Sequence, residues 1–267
     1  MHALDWHLVN SAEVEAWPAR LLRPRANADA RALARARWCL RRKRDGRFLA
    51  AFDDAGRLHA LQPGLAREPG VGEALSALHA LHERAGEALF LPLDGLLGHL
   101  AALGLDEAYG ERTGLPLVAE PARLEFAGFD RYRRPLWLLA PAARAWRRMQ
   151  AAARDAGVAL EAISGYRSHA YQLGIFERKL ARGLTVEQIL AVNAAPGYSE
   201  HHGGCAIDIG CPGEPPAEES FEATPAFAWL REHAGGFGFA MSYPRGNPHG
   251  IVYEPWHWCW HPAGKDD

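Results

Sequence analysis

The chain has 267 residues, a formal net charge of −2, 48% hydrophobic residues and 23% charged residues. These values are typical of a folded protein with one large domain or two small ones, and they argue against a disordered chain. A nearly neutral protein lacks the positive field that attracts nucleic acid, and no apolar run approaches the roughly 18 residues of a membrane span. We therefore expect neither partner, and we expect any chemistry to come from a local site.

The cysteines and the N-terminus bear on the compartment. Four cysteines are scattered along the chain without a Cys-x-x-Cys pair, which argues against a four-cysteine zinc site. We predict buried or free thiols, and the sequence leaves a Cys211–Cys259 bridge open. The first residues, MHALDWHLVN, include no basic segment before an apolar core, so we expect no secretory signal. These features slightly favour the cytoplasm over the periplasm or the outside of the cell.

Residues 1–112 are predicted to form an N-terminal region of mixed α and β structure whose role is unknown. Within it, residues 20–47 carry eleven Lys/Arg against two Asp, interleaved with apolar residues such as Leu33 and Leu40. That mixture predicts an amphipathic surface helix rather than a nucleic-acid-binding patch. Residues 47–61 predict a β-hairpin, and residues 72–104 predict helix.

A second domain is expected over residues 113–267, because glycines and prolines become frequent between residues 105 and 122. Helices and strands alternate there without a regular βαβ rhythm, so the pattern predicts an α+β domain with an antiparallel sheet. The predicted helices are 141–156, 171–182, a short one capped by Thr185 and Gln188, and 227–233. The predicted strands are 158–163, 205–209, 237–242 and 251–260.

Two short segments of this domain carry residues typical of a metal site. His201 and Asp208 stand seven residues apart around a Gly-Gly turn, and Glu254 stands three residues before His257. Catalytic zinc takes three protein ligands, an open fourth position and a nearby base. We therefore expect one zinc ion on His201, Asp208 and His257, with Glu254 as the general base.

Arg167 is the centre of a third segment, Ser-Gly-Tyr-Arg-Ser, which follows the predicted strand 158–163. An arginine in such a loop can bind a substrate carboxylate with two parallel hydrogen bonds. It can also be a surface residue that closes a turn, and this segment taken alone favours that second interpretation.

Together the three segments resemble a known family, the zinc-dependent D-alanyl-D-alanine carboxypeptidases of the VanY type. This group also holds D-Ala-D-Ala dipeptidases and the hedgehog-like peptidase fold. The resemblance covers about residues 120–260. The pattern Ser-x-His-x-x-Gly-x-Ala-x-Asp is met by Ser199, His201, Gly204, Ala206 and Asp208, the pattern Glu-x-Trp-His by Glu254, Trp256 and His257, and the arginine segment by Ser164 to Ser168 with Gln172.

The resemblance implies a hedgehog/D-Ala-D-Ala-peptidase-like antiparallel sheet with flanking helices. It implies the same zinc ligands and the same base as above, and it gives Arg167 a catalytic and substrate-anchoring role. The further substrate-binding residues that it implies are Tyr166, Gln172, Ser199 and Trp256. The implied reaction is the removal of the C-terminal D-alanine from peptidoglycan stem peptides or muropeptides.

Several alternatives stay open at this point. The chain departs from the family at Cys259, where an arginine is usual, and at Cys205, where a larger apolar residue is common. Substrate preference is therefore not fixed, and a D-Ala-D-Ala dipeptidase, an L,D-carboxypeptidase or a cell-wall endopeptidase are rival enzymes. A non-catalytic metal-binding interaction module is the rival from another class. A cell-wall substrate without an export signal suggests the recycling of peptides in the cytoplasm, and the sequence makes no prediction of oligomeric state.

Overall fold

The computed structural model describes residues 6–24, 26–80 and 90–262. Two sheets organise this part of the chain, and every strand pair within them is antiparallel. Helices lie between and around the strands, so the α+β class predicted from the sequence is confirmed at this level. No helix among the described residues is long and apolar enough to cross a membrane.

The larger sheet has seven strands in the order β5-β4-β3-β2-β1-β6-β7. These strands are β1 (His7–Asn10), β2 (Val14–Pro18), β3 (Ala36–Arg42), β4 (Phe48–Asp53), β5 (Leu58–Ala60), β6 (Arg123–Phe129) and β7 (Pro135–Leu138). Leu8 of β1 pairs with Leu124 of β6. Strands from both sides of the predicted boundary at residue 112 therefore belong to one sheet, while the division into two domains stays a prediction.

The basic segment 20–47 is not the single amphipathic helix predicted from its composition. A helix, α1, covers only Asn27–Leu33, and the chain then enters the central strand β3. Trp38, Cys39 and Leu40 are all buried in that strand, because it is paired on both sides by β2 and β4. Pairing within the sheet therefore overrides the helical pattern of charges. The predicted hairpin that follows is confirmed by the pairing of β4 with β5.

The predicted helix over 72–104 is interrupted. Helix α2 covers Val71–Ala80 and helix α3 covers Leu96–Ala101, and residues 81–89 of the prediction lie outside the described residues. Gly95, which precedes α3, has a φ of 82°, a left-handed conformation that glycine adopts without steric penalty. The helical prediction is thus correct over α2 and α3, and a turn directly precedes α3.

The smaller sheet has four strands in the order β10-β11-β9-β8. These are β8 (Glu161–Ser164), β9 (Ala206–Gly210), β10 (Phe239–Met241) and β11 (His257–Trp260). The predicted strand over 251–260 is shorter than expected, since it begins only at His257. Helix α5 (Ala140–Asp155) packs with this sheet, and its Trp146 and Met149 are buried in the same core as Ile207 and Trp258. This core fixes the strands that carry the candidate site.

The described residues include four further α-helices: α4 (Tyr109–Thr113), α6 (His169–Leu180), α7 (Val186–Leu190) and α8 (Pro225–His233). The Ser168 hydroxyl caps α6 by accepting a hydrogen bond from the backbone N–H of Tyr171 at 3.1 Å. The predicted capping box of α7, formed by Thr185 and Gln188, is confirmed. Because Ser168, the N-cap of α6, directly follows Arg167, this cap fixes where the arginine loop ends.

All four cysteines are free thiols, so the Cys211–Cys259 bridge that the sequence left open is not formed. Cys39 and Cys259 are buried. Burial raises the pKa of the Cys39 thiol to about 12, which keeps it protonated and unreactive at neutral pH.

Candidate active site

The structure brings together the three predicted metal ligands. Asp208 lies on β9 directly opposite His257 on β11. His201 comes from the short 3-10 turn that precedes β9. The turn ends at Gly204, whose φ is 69° and where an added Cβ would lie 2.9 Å from the backbone nitrogen of Leu139. The glycine is therefore required for the close approach that returns His201 to the sheet.

The ligand atoms have the spacing of a metal site. Oδ1 of Asp208 lies 3.3 Å from Nε2 of His201 and 3.1 Å from Nδ1 of His257. All three side chains are buried, and one ligand atom from each lies within 4.8 Å of the others. Tetrahedral zinc with bonds of about 2.0–2.2 Å holds neighbouring ligand atoms about 3.3 Å apart. The donor set and its spacing therefore fit a zinc ion.

The outer contacts of both histidines orient the correct nitrogen towards this cluster. Nδ1 of His201 lies 2.7 Å from the carbonyl oxygen of Gly165, so its N–H donates there. This leaves Nε2 as an acceptor facing Asp208, and Nε2 has no hydrogen-bond partner among the described residues. Nε2 of His257 lies 2.7 Å from Oε2 of Glu200, which leaves Nδ1 to face the cluster. Such outer partners are typical of histidines that ligate a metal.

The charges of the cluster favour a cation. Burial and the nearby Arg167 lower the pKa of His201 to about 4, so its imidazole is neutral and able to ligate at pH 7. Burial also opposes a charge on His257, but hydrogen bonds with Asp208 and Glu200 outweigh burial and raise its pKa to about 10. The two histidines differ because only His257 lies between two carboxylates. A metal ion held by these three residues would take the place of the proton on Nδ1 of His257.

Glu254 is the spare carboxylate of the site. Its Oε2 lies 3.9 Å from Nδ1 of His257, and its backbone N–H donates to the carbonyl oxygen of Tyr243 at 3.0 Å. Burial raises the pKa of its carboxyl to about 7. A general base needs a pKa near the working pH, and Glu254 meets that requirement. It is not a member of the three-residue cluster that could hold a metal ion.

Arg167 is held against the cluster by the turn that carries the first ligand. Its backbone N–H donates to the carbonyl oxygen of His201 at 3.2 Å, and its own carbonyl accepts from Nδ1 of His202 at 2.6 Å. A guanidinium nitrogen, NH2, lies 4.0 Å from Oδ2 of Asp208, and Nε has no partner among the described residues. His202 thus holds the arginine loop through the carbonyl of Arg167, while His201 is the histidine of this pair that belongs to the cluster.

A cleft of about 300 Å³ opens over the cluster. Its walls include the predicted substrate-binding residues Gln172, Ser199 and Trp256, together with Arg167. Gln172 donates from Nε2 to the carbonyl oxygen of Ala194 at 2.9 Å, which leaves its buried Oε1 without a partner among the described residues. The residues of the cleft wall therefore include a buried acceptor, Oε1 of Gln172, and a buried donor, Nε of Arg167, that no described protein group satisfies.

Tyr166 is the one predicted substrate-binding residue that the structure does not bring to this cleft. Its hydroxyl donates to Oε2 of Glu120 at 2.5 Å and accepts from Nδ2 of Asn10 at 2.7 Å. Glu120 also accepts from the fully buried ammonium of Lys43 at 2.6 Å. The tyrosine is therefore committed to a buried polar network that joins the arginine loop to the N-terminal strands.

Glu200 contacts the cluster through His257, and the sequence reasoning missed it. Burial favours its neutral form, but the hydrogen bond and charge of His257 outweigh burial and lower the pKa of this carboxyl to about 2. The charge of Glu200 also acts on the thiol of Cys259, the position where the family usually has an arginine, and adds to the burial that raises the pKa of that thiol. The only signal in the sequence is an acidic residue directly before the first ligand.

Part of the chain matches a known protein family. The family model for VanY, described as D-alanyl-D-alanine carboxypeptidase, matches residues 136–263. VanXYC of Enterococcus gallinarum, named as a bifunctional D-Ala-D-Ala dipeptidase and D-Ala-D-Ala carboxypeptidase, is 30% identical over 146 residues, which are 52% of this chain and 73% of that protein. The chain belongs to the VanY family of D-alanyl-D-alanine carboxypeptidases.

Other relatives cover a similar part of the chain. YodJ of Bacillus subtilis (strain 168) is 35% identical over 156 residues, which are 55% of this chain and 56% of that protein. A mutant of the vancomycin resistance D,D-pentapeptidase VanY, solved in complex with Zn(II), is 29% identical with a TM-score of 0.39, covering 47% of this chain and 73% of that one. The chain thus spans little more than half the length of YodJ. The family match includes every predicted metal ligand, Glu254 and Arg167, whereas strands β1 to β6 lie before it.

Proposed function

We propose that this VanY-family protein is a zinc-dependent carboxypeptidase that removes the C-terminal D-alanine from peptidoglycan stem peptides or muropeptides. The observation that carries the proposal is Glu254, a buried carboxyl with a pKa of about 7, placed beside a complete three-ligand cluster. A purely structural metal site has no use for such a group. His201, Asp208 and His257 would hold the zinc ion, which acts when bound as a Lewis acid and makes water a nucleophile near neutral pH.

The protein's own residues divide the remaining tasks. Glu254 accepts a proton from the attacking water and delivers it to the nitrogen of the departing D-alanine. The peptide C–N bond breaks as a C–O bond to the water oxygen forms, so the products are a shortened peptide acid and free D-alanine. Negative charge develops on the carbonyl oxygen during attack, and the guanidinium of Arg167, a residue that lines the cleft, is placed to stabilise it.

Residues of the cleft wall position the peptide for this reaction. Oε1 of Gln172 can accept a hydrogen bond from a peptide N–H, because its Nε2 is already committed to Ala194. Ser199 and Trp256 line the same cleft. Holding the substrate in one orientation converts attack by water into an effectively unimolecular step.

The test is a mass-spectrometric digest of three synthetic substrates with zinc-loaded protein: muramyl pentapeptide, muramyl tetrapeptide and free D-Ala-D-Ala. We expect loss of a single alanine from a muramyl peptide and no product from the Glu254→Ala variant. Cleavage of the free dipeptide alone would identify a dipeptidase, and loss of alanine from the tetrapeptide alone would identify an L,D-carboxypeptidase. No product from any of the three, with zinc bound, would refute the carboxypeptidase proposal and favour an endopeptidase or a binding module.

A further inference from the structure

Lys179 is a charged wall residue of the catalytic cleft to which neither the family motifs nor the proposed mechanism gives a role. It lies in the last turn of α6, is partly buried and lines the same cleft as the metal ligands. Among the described residues its ammonium has no carboxylate within salt-bridge distance and no hydrogen-bond partner. A positive charge that faces a cleft without a counter-ion is suited to bind an anionic group of a ligand.

The electrostatics around Lys179 support this interpretation. Burial lowers the pKa of Lys179, and the charges of Arg167 and Arg182 act in the same direction. The charge of Glu254 acts in the opposite direction but does not outweigh them. The carboxylates that line the cleft have other tasks, since Asp208 belongs to the ligand set and Glu254 is the base. An incoming anion is therefore the group that can neutralise Lys179 without removing a catalytic residue.

Helix geometry places Lys179 further along the cleft than the reacting centre. Gln172 and Lys179 are seven residues apart, so they lie on the same face of α6 with a rise of about 10 Å between them. Side chains on a helix point back towards its N-terminus, which directs Lys179 towards Gln172 and the cluster. Arg167, in contrast, has its guanidinium 4.0 Å from Asp208, beside the reacting carbonyl.

We propose that Lys179 binds the free C-terminal carboxylate of the substrate and thereby restricts the enzyme to removal of the last residue. This inference rests on the proposed function, because a carboxypeptidase cleaves one residue, about 3.5 Å of chain, before that carboxylate. Arg167 is then left to stabilise the oxyanion. The apolar part of the cleft wall, which includes Val192, Ala194 and Val252, suits the methyl group of an alanine.

The experiment compares an N-acylated D-Ala-D-Ala peptide with its C-terminal amide, using zinc-loaded protein. We expect the unmodified protein to prefer the acid. Lys179→Met, which keeps the length of the side chain without its charge, is expected to lower kcat/KM for the acid about 10- to 100-fold, mainly through KM, and to leave the amide unaffected. Lys179→Arg is expected to restore part of the preference. The matched control is Arg182→Gln, which removes an exposed charge of the same helix end and is expected to keep the preference.

Two results would overturn the assignment. An unchanged preference in Lys179→Met would mean that another group binds the carboxylate, and an equal loss on acid and amide would indicate a structural role. If the unmodified protein cleaves neither substrate, the proposed function fails, and the inference is judged by binding alone. Calorimetry on zinc-loaded Glu254→Gln protein should then show tighter binding of the acid than of the amide, and loss of that difference after Lys179→Met. If the Glu254→Gln protein with Lys179 intact binds the acid and the amide equally, the proposed role of Lys179 is rejected.

Discussion

Replacing Glu200 with glutamine removes one charge from the environment of His257 and keeps the size of the side chain. In the native structure Oε2 of Glu200 lies 2.7 Å from Nε2 of His257, and both side chains are largely buried. The carboxylate fixes which nitrogen of His257 faces the cluster and makes the imidazole a stronger electron donor. We therefore expect Glu200→Gln to weaken zinc binding without removing any ligand.

The magnitude follows from the type of hydrogen bond that is lost. Hydrogen bonds to charged groups contribute about 1.5–3 kcal/mol, which is about a 10- to 100-fold change in an equilibrium constant. Loss of an outer partner of a metal-bound histidine typically lowers metal affinity over the same range. We expect the Kd for zinc to rise by about 10- to 100-fold, and we expect turnover at saturating zinc to fall less than the affinity does.

The assay is a zinc titration against a chelator of known affinity, followed by measurement of activity at saturating zinc. Glu218→Gln, a change of the same type at an exposed position, is the control and is expected to leave the Kd unchanged. Thermal unfolding of the metal-free proteins checks that the fold is intact. A Kd within about twofold of the unmodified protein would refute the reasoning, since it would show that Glu200 neither orients nor polarises His257.

Three further predictions concern the base, the buried lysine and acid stability. Glu254→Ala is expected to keep zinc and lower kcat at least about 100-fold, whereas His257→Ala is expected to lose both zinc and activity; retained turnover in Glu254→Ala would contradict the assignment. Lys43→Met leaves the buried charge of Glu120 unpaired and is expected to lower the free energy of unfolding by about 3–5 kcal/mol, measured by urea titration. A change of less than about 1 kcal/mol would show that the pairing of Lys43 with Glu120 does not stabilise the fold. The interactions of Glu120 outweigh its burial and lower its pKa from 4.5 to about 2, so its stabilisation is complete above pH 4.5 and is lost as the pH falls towards 2. Unfolding curves between pH 6 and 2 should show this loss, about 3 kcal/mol in all, and Lys43→Met should reduce it.

The clustering of the three predicted ligands could be predicted from the sequence because each part of the cluster is local. His201 and Asp208 are joined by a turn and a strand, and Glu254 and His257 are three residues apart, so spacing alone restricts their geometry. The pairing of Asp208 with His257 then follows from the order of strands in the smaller sheet. These closely spaced residues form the sequence motifs, and the structure brings them together as expected.

The missed residues depend on contacts between segments that are distant in sequence. Glu200 contacts His257 across 57 positions, and Lys43 contacts Glu120 across 77. No local periodicity records such pairs. The helix predicted for the basic segment was wrong for a related reason, since β3 is a strand only because β2 and β4 pair with it on both sides. Tyr166 shows the same limit, because its motif position predicts the substrate cleft whereas its hydroxyl contacts Glu120.

The buried network around Glu120 gives the N-terminal strands a connection to the active site. Lys43 follows β3 and donates to Glu120, which in turn accepts from Tyr166 and from the backbone N–H of His169, at either end of the segment that contains Arg167. Because an unpaired buried carboxylate is strongly destabilising, Lys43 and Glu120 hold each other in place. The same carboxylate therefore restrains both ends of the arginine loop. Residues outside the family match thus contribute to the position of the guanidinium, and a weakened network should lower kcat even where zinc binding is unchanged.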